Sequence, residues 1–196
     1  MAPTLLERKQ RLARQRIVDA ADELFAARGY AEVSVTDIAA RAEVGRTTFF
    51  RYFGDKTEVV FAKEQAMLDT VARAAGDGTV GAARTARDAV EQLRPVLLDL
   101  CEQATDDREA YRRHAELIER HLELRAREAL KTQEIAASLV AVLRSRGTDE
   151  TVAVLAAQVA LACYQTARQR ARSTAGVSLT RATQAVFDEV LALGGA

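Results

Sequence analysis

The sequence predicts an all-α fold, and three observations support this prediction. The 196 residues include only two prolines and ten glycines, in a background of alanine and arginine that favours helix. Apolar residues recur every three or four positions along most of the chain. Little of it has the alternation or the β-branched enrichment of strands. With 48% hydrophobic and 29% charged residues, the chain has the composition of a globular protein of one domain, or one with a small added module.

Helical spacing and helix-end signals together predict the elements. They cover residues 10–28, 35–42, 46–52, 55–75, 82–104, 107–120, 122–146, 149–172 and 178–193. The first helix ends at Gly29, a favourable C-cap residue. The second begins after Ser34, which forms a variant capping box with Asp37. Gly45 precedes the third helix, and Asp55 begins the fourth.

The second half of the chain is predicted to be helical throughout. The most linker-like stretch is Gly76-Asp77-Gly78, where we place the boundary between two modules. We therefore assign residues 1–56 to an N-terminal arm and the first three helices, 57–78 to a connecting helix and linker, and 79–196 to a second domain. Pro95 removes one backbone hydrogen bond inside its helix and predicts a kink there. Gly147 and Gly176 mark the breaks between the last three helices.

Charge and cysteine usage exclude several classes of protein. The 28 basic and 28 acidic residues cancel, which excludes a uniformly basic nucleic-acid binder but not a local basic patch. Cys101 and Cys163 lie far apart and offer neither a disulfide framework nor a zinc spacing, as is typical of the reducing cytosol. The longest apolar run, residues 152–164, is too short to span a bilayer, and no secretory signal is recognisable. We expect a cytoplasmic protein with no membrane contact.

The two short helices have the pattern of a helix-turn-helix. Ala39 is small where the helices approach each other, Val44 is apolar in the turn, and Gly45 caps the second helix. Phe49 and Phe53 are expected to face inward. The positions left on the outside are Arg46, Thr47, Thr48, Phe50 and Arg51. In a helix-turn-helix these positions enter the major groove, where arginine suits guanine, threonine suits phosphate or the thymine methyl, and an aromatic ring suits sugar or methyl contact.

Basic residues near this pattern favour DNA over a purely structural helix-turn-helix. The N-terminal arm carries Arg8, Lys9, Arg11, Arg14 and Arg16 against the single acid Glu7. We expect Arg11 and Arg14 to contact phosphate or the minor groove, the alternative being a solvated tail. Lys56 begins the fourth helix, where backbone amides also favour a phosphate.

A family resemblance covers roughly residues 16–61. The segment Val35–Lys56, reading Val-Thr-Asp-Ile-Ala-Ala-Arg-Ala-Glu-Val-Gly-Arg-Thr-Thr-Phe-Phe-Arg-Tyr-Phe-Gly-Asp-Lys, closely resembles the DNA-binding segment of TetR/AcrR-type repressors. Residues 17–30 resemble that family's first helix. The resemblance implies a C-terminal helical ligand-binding and dimerisation domain, and it adds Thr36 and Tyr52 to the expected DNA contacts. The sequence of residues 48–53, Thr-Phe-Phe-Arg-Tyr-Phe, also resembles the branch that contains mycofactocin-system regulators.

Two positions depart from the family pattern. The turn reads Ala42-Glu43-Val44-Gly45, where the family usually has Ala-Gly-Val-Ser. If Glu43 adopts a positive φ, the strain costs roughly 1 kcal/mol. Phe50 stands where the family most often has tyrosine, so it offers apolar or stacking contact but no hydroxyl.

The last two helices are candidates for a dimer interface. Small residues that permit close approach are Ala153, Ala156, Ala157 and Ala160, and the final helix carries Leu179, Ala182, Val186, Val190 and Leu193 at helical spacing. Paired with a copy, they would form a symmetric four-helix interface. Such a dimer sets two recognition helices about 34–36 Å apart and predicts a near-palindromic operator. The alternative is that these residues close the core of a single chain.

The second domain is expected to bind a hydrophobic or amphipathic small molecule. Candidate pocket residues, placed on inward faces near Pro95, are Leu97, Cys101, Leu117, Ile118, Leu130, Gln133, Ala137, Cys163 and Gln165. The alternative for each is a plain core position. His114 and His121 lack a carboxylate or thiol at ligand spacing, so no metal or other cofactor is predicted.

These features favour a ligand-responsive regulator that binds its operator as a homodimer, represses transcription and is released by its effector through a population shift. The alternative is a helical interaction module or an enzyme in which the helix-turn-helix is only structural. The sequence has no glycine-rich phosphate loop, no serine or cysteine paired with histidine and no metal cluster, which argues against an enzyme.

Overall fold

A computed structural model describes residues 4–62, 80–104, 108–174 and 176–193. Within these residues the chain forms helices and no strand, so the predicted all-α class is confirmed. The helices are α1 (Leu5–Arg28), α2 (Val35–Arg41), α3 (Arg46–Tyr52), α4 (Lys56–Val60), α5 (Ala86–Ala104), α6 (Arg108–Arg120), α7 (Leu122–Ser145), α8 (Glu150–Ser173) and α9 (Leu179–Leu193). The predicted extension of the fourth helix beyond residue 62 and the linker at Gly76–Gly78 lie outside the described residues.

The predicted start of the first helix is wrong. Helix α1 begins at Leu5 rather than near residue 10, because Thr4 and Glu7 form a capping box at its N-terminus. The Thr4 side chain accepts a hydrogen bond from the Glu7 amide, and the Glu7 carboxylate accepts one from the Thr4 amide. The basic residues of the predicted arm therefore lie on a helix, and Arg11 is exposed there.

The chain divides into two compact units, residues 1–63 and 64–196. In the first unit, α1 packs against α2 and α4, and α2 packs against α3. Its largest fully buried side chains are Ile17, Tyr30, Ile38, Phe49 and Phe61. Helix α4 and Phe61 thus complete the core of the first unit.

Helix α8 lies at the centre of the second unit, where it packs against α5, α7 and α9. Its alanines are fully buried at Ala153, Ala156, Ala157, Ala160 and Ala167, which allows the neighbouring helices to approach closely. Larger side chains of the surrounding helices, among them Leu97, Leu139 and Phe187, fill the space around it. Pro95 lies inside α5, which continues on both sides of it.

The residues predicted to form a dimer interface mostly face the chain's own core. Besides the four alanines, Leu179, Ala182 and Val186 are buried. Val190 is half-buried, and Leu193 is exposed. Helical spacing marks an apolar face correctly, but it does not say whether that face meets the same chain or a second copy. No helix among the described residues is long and apolar enough to cross a membrane.

Candidate nucleic-acid interface

The turn between α2 and α3 closes α2 with a Schellman motif. The Glu43 amide donates to the Ala40 carbonyl at 3.1 Å, and the Val44 amide donates to the Ala39 carbonyl at 3.0 Å. Glu43 takes the left-handed conformation with φ 54°, which is the case in which its side chain carries strain. This conformation turns the chain sharply, so that Gly45 becomes the N-cap of α3.

Helix α3 has one buried and one exposed face. Phe49 and Phe53 are buried, while Arg46, Thr47, Phe50 and Arg51 are exposed. Thr48 and Tyr52 are half-buried at the boundary. The structure therefore confirms the predicted faces of α3, and DNA contact through the exposed face stays a prediction.

The arginines of α3 differ from three arginines of the supporting helices. Arg46 lies 6.0 Å from the centroid of the Phe50 ring, and Arg51 lies 5.4 Å from that of Tyr52. Within the described part of the chain, neither forms an ion pair with an acid. Because the rings cover only one side of each guanidinium, its polar edges remain available to a base or a phosphate.

Three arginines of α1 and α2 are instead paired with acids. Arg28 pairs with Asp37 at 3.4 Å, Arg41 with Glu23 at 2.5 Å, and Arg16 with Glu43 at 2.5 Å. The last two of these pairs also make hydrogen bonds between the charged groups. These contacts join α2 and its following turn to α1 at the exposed surface. Sequence reasoning did not predict these three pairs, because their partners are distant in the chain.

Two of the predicted DNA contacts have roles inside the fold. The Lys56 ammonium donates to the carbonyls of Tyr30 and Val33 at 2.9 and 3.1 Å, and it lies 4.2 Å from the centroid of the Tyr30 ring. The Arg14 guanidinium donates to the Ala62 carbonyl at 3.0 Å and lies over the Phe53 ring. Both side chains connect α4 and the two residues after it to the rest of the first unit, a role that sequence reasoning missed.

Thr36 is exposed in the first turn of α2, next to a capping box. Both the hydroxyl and the backbone amide of Ser34 donate to the Asp37 carboxylate, and together they lower the pKa of Asp37 to about 2. The capping box predicted from Ser34 and Asp37 is thus confirmed. It fixes the start of α2 and thereby the position of Thr36.

A sequence profile described as bacterial regulatory proteins, tetR family, matches residues 17–62, the segment that forms this helix-turn-helix. This segment of the chain is thus similar to the DNA-binding segment of TetR-family regulators. Over 57 residues it is 46% identical to the transcriptional regulator TcmR of Streptomyces glaucescens, covering 29% of this chain and 25% of TcmR. Over 62 residues it is 42% identical to MftR of Mycobacterium tuberculosis, a regulator assigned to mycofactocin biosynthesis, covering 28% of this chain and 31% of MftR.

These similarities to curated TetR-family regulators span about a quarter to a third of the relatives' length and lie in the DNA-binding segment. TcmR matches this segment about as well as MftR does, so the segment does not favour the mycofactocin branch in particular. A solved structure extends the likeness to the fold of nearly the whole chain. Thermus thermophilus FadR, a repressor in complex with lauroyl-CoA, has a TM-score of 0.57 and 25% identity, covering 93% of this chain and 95% of FadR.

The candidate pocket residues of the second unit fall into a buried set and an exposed set. Leu97, Cys101, Ile118 and Cys163 are buried, and Leu117 is half-buried. Contrary to the inward faces predicted for them, Leu130, Gln133, Ala137 and Gln165 are exposed. The reason is that α7 and α8 bury other faces, which carry Leu139 and Ala157 among others.

Burial determines the chemistry of the two thiols. It raises the pKa of Cys101 to about 11, although the Thr183 hydroxyl, 3.2 Å from the sulfur, acts in the opposite direction. Burial also raises the pKa of Cys163. His114 and His121 are half-buried, and no group of three or more histidine, cysteine or acidic side chains is placed to hold a metal ion within the described residues.

Proposed function

We propose that this chain is a transcriptional regulator that binds operator DNA through the exposed face of α3. The observation that carries this proposal is the pair of arginines, Arg46 and Arg51, which lean on aromatic rings on that face. Contact with the rings restricts the guanidinium groups before DNA arrives, so less side-chain entropy is lost on binding. Thr47 and the exposed Phe50 ring lie beside them and suit phosphate and thymine methyl contact.

The regulator is proposed to act as a homodimer on a near-palindromic operator. The exposed face of α8 carries no charge between its first and last turns, although 29% of the whole chain is charged. Its members are Thr151, Val154, Leu155, Gln158, Ala162, Gln165, Thr166 and Gln169. A long uncharged face with two exposed branched apolar residues suits packing against the same face of a second copy. We therefore propose this face as the dimer interface, in place of the α8 alanines and the α9 residues that the sequence suggested.

Repression relieved by a small effector is the proposed regulation. FadR, with a similar fold, is a repressor seen with lauroyl-CoA, an amphipathic molecule. In this chain the interior around Leu97, Cys101 and Cys163 is almost entirely apolar, and the Thr183 hydroxyl is one of its few polar groups. An effector that enters this interior must therefore present mostly apolar surface, and it shifts the population to a state that binds the operator poorly.

Fluorescence anisotropy tests the DNA proposal on duplex DNA from upstream of the protein's own gene, with random-sequence duplex as competitor. Arg46→Ala and Arg51→Ala should each weaken specific binding by about 1–3 kcal/mol without changing thermal unfolding. Arg87→Ala is the matched control, since Arg87 is an exposed arginine of α5 in the other unit. Saturable but unselective binding by the wild type would refute the regulator proposal. Unchanged affinity in both variants would refute the assigned contacts.

Analytical ultracentrifugation tests the dimer. Leu155→Glu places a charge on the uncharged face of α8, where the side chain is 54% exposed in the single chain and folding should survive. Leu130→Glu on α7 is a matched control, because Leu130 is 56% exposed. We expect a dimeric wild type and control and a monomeric Leu155→Glu variant. A dimer that persists in Leu155→Glu would place the interface elsewhere.

A further inference from the structure

Glu43 is a charged residue at a position where the backbone favours glycine. It occupies the position after the α2 C-cap, where a left-handed backbone is required and glycine is the usual residue. A side chain there costs roughly 1 kcal/mol relative to glycine. Among the described residues, Glu43 is the one non-glycine residue with a positive φ. Backbone strain of this kind at a proposed binding surface calls for a compensating role of the side chain.

The Glu43 side chain contacts an arginine of the basic stretch of α1. One carboxylate oxygen lies 2.5 Å from a terminal nitrogen of Arg16. The side chains of Arg16 and Glu43 are 49% and 82% exposed, so water screens the pair and its contribution to stability is small. An exposed pair of this kind is easily exchanged, and a DNA phosphate is a competing partner for the same guanidinium.

The position of the pair gives this exchange a consequence for DNA binding. Glu43 lies in the turn that leads directly into α3, the proposed recognition helix, and its negative charge repels phosphate there. Arg16 would otherwise add one cation to a surface that already carries Arg46 and Arg51. Each phosphate neutralised by a cation releases counterions and strengthens binding to DNA of any sequence.

We propose that Glu43 limits the sequence-independent part of DNA affinity by holding Arg16 away from the phosphate backbone. This inference rests on the proposed function, because it concerns the same surface. It makes Glu43 a positioning residue for Arg16 and accounts for a strained glutamate at a glycine position. Removing the carboxylate should free Arg16 for one further phosphate contact.

The test compares salt dependence in Glu43→Gln, Arg16→Gln and the double variant, by anisotropy on random-sequence duplex between 50 and 200 mM KCl. Glu43→Gln keeps the side-chain length and removes the charge. Its slope of log affinity against log salt should steepen by about 0.9, so that over this fourfold rise in salt its affinity falls about 3.5-fold more than that of the wild type. Arg16→Gln alone should keep the wild-type slope. The double variant should also have the wild-type slope, because the steepening in Glu43→Gln depends on Arg16.

Glu189→Gln is the control, since Glu189 forms an exposed pair with Arg170 in the other unit and its loss changes the net charge equally. A wild-type slope in Glu43→Gln, or the same steepening in Glu189→Gln, would overturn the proposal. Weaker binding to upstream DNA alone would also overturn it and show that the pair orients α3. Because the slope is measured on random-sequence DNA, it remains informative if the wild type shows no sequence selectivity, the result that defeats the proposed regulator.

Discussion

Phe49 and Phe50 are neighbours on α3 with opposite surroundings, and their truncation should separate folding from DNA binding. Phe49 is fully buried, whereas Phe50 is 48% exposed. Phe49→Ala removes a buried ring and leaves a cavity, which should lower the free energy of unfolding by about 3–5 kcal/mol. Phe50→Ala loses chiefly an edge-to-face contact with Phe49, with ring centroids 5.5 Å apart, and such contacts contribute about 0.5–1.5 kcal/mol.

Hydrogen exchange on peptides from residues 17–62 measures the stability of the first unit within the whole chain. Phe49→Ala should greatly accelerate exchange throughout this segment. The free energy of unfolding that it loses is a large share of the 5–15 kcal/mol that typically stabilises a domain. Phe50→Ala should retain most of the protection but bind upstream DNA more weakly in anisotropy. Equal loss of protection in the two variants would refute the assignment of buried and exposed faces on α3.

Three further predictions concern single groups. Lys56→Met should lower the free energy of unfolding by about 2 kcal/mol in urea titrations, because the Tyr30 and Val33 carbonyls lose a charged donor; unchanged stability with weaker DNA binding would favour a phosphate contact instead. The lowered pKa of Asp37 means that its stabilisation is complete above pH 4 and is lost as the pH falls towards 2, so Asp37→Asn should flatten the acid limb of a stability profile. The Cys101 thiol, with its pKa raised to about 11, should react with a thiol-specific reagent at pH 8 only as fast as the chain opens, and rapid labelling of the native protein would contradict its burial.

Local interactions made the helix boundaries of the helix-turn-helix predictable. Ser34 and Asp37 lie three residues apart and define the start of α2 through contacts that involve no distant residue. The same signal, Thr4 with Glu7, is present before α1 and was readable in principle. The positive φ of Glu43 was likewise predictable, because a helix that must turn sharply uses the left-handed position whichever residue occupies it.

The sequence by itself determined the all-α class, the helix-turn-helix and the two faces of α3, since these depend on spacing within one helix or between near neighbours. Tertiary structure decided which charged side chains are available to bind DNA and which apolar faces are buried by neighbouring helices. Lys56 and Arg14 are predicted as phosphate ligands from the sequence, but both donate to backbone carbonyls more than twenty residues away. The alanine face of α8 resembles an interface, but α5, α7 and α9 bury it. The role of a charged residue or an apolar face depends on the group that it contacts in the folded chain. Contacts between residues distant in the chain produce no periodic pattern in the sequence, so they cannot be predicted from spacing.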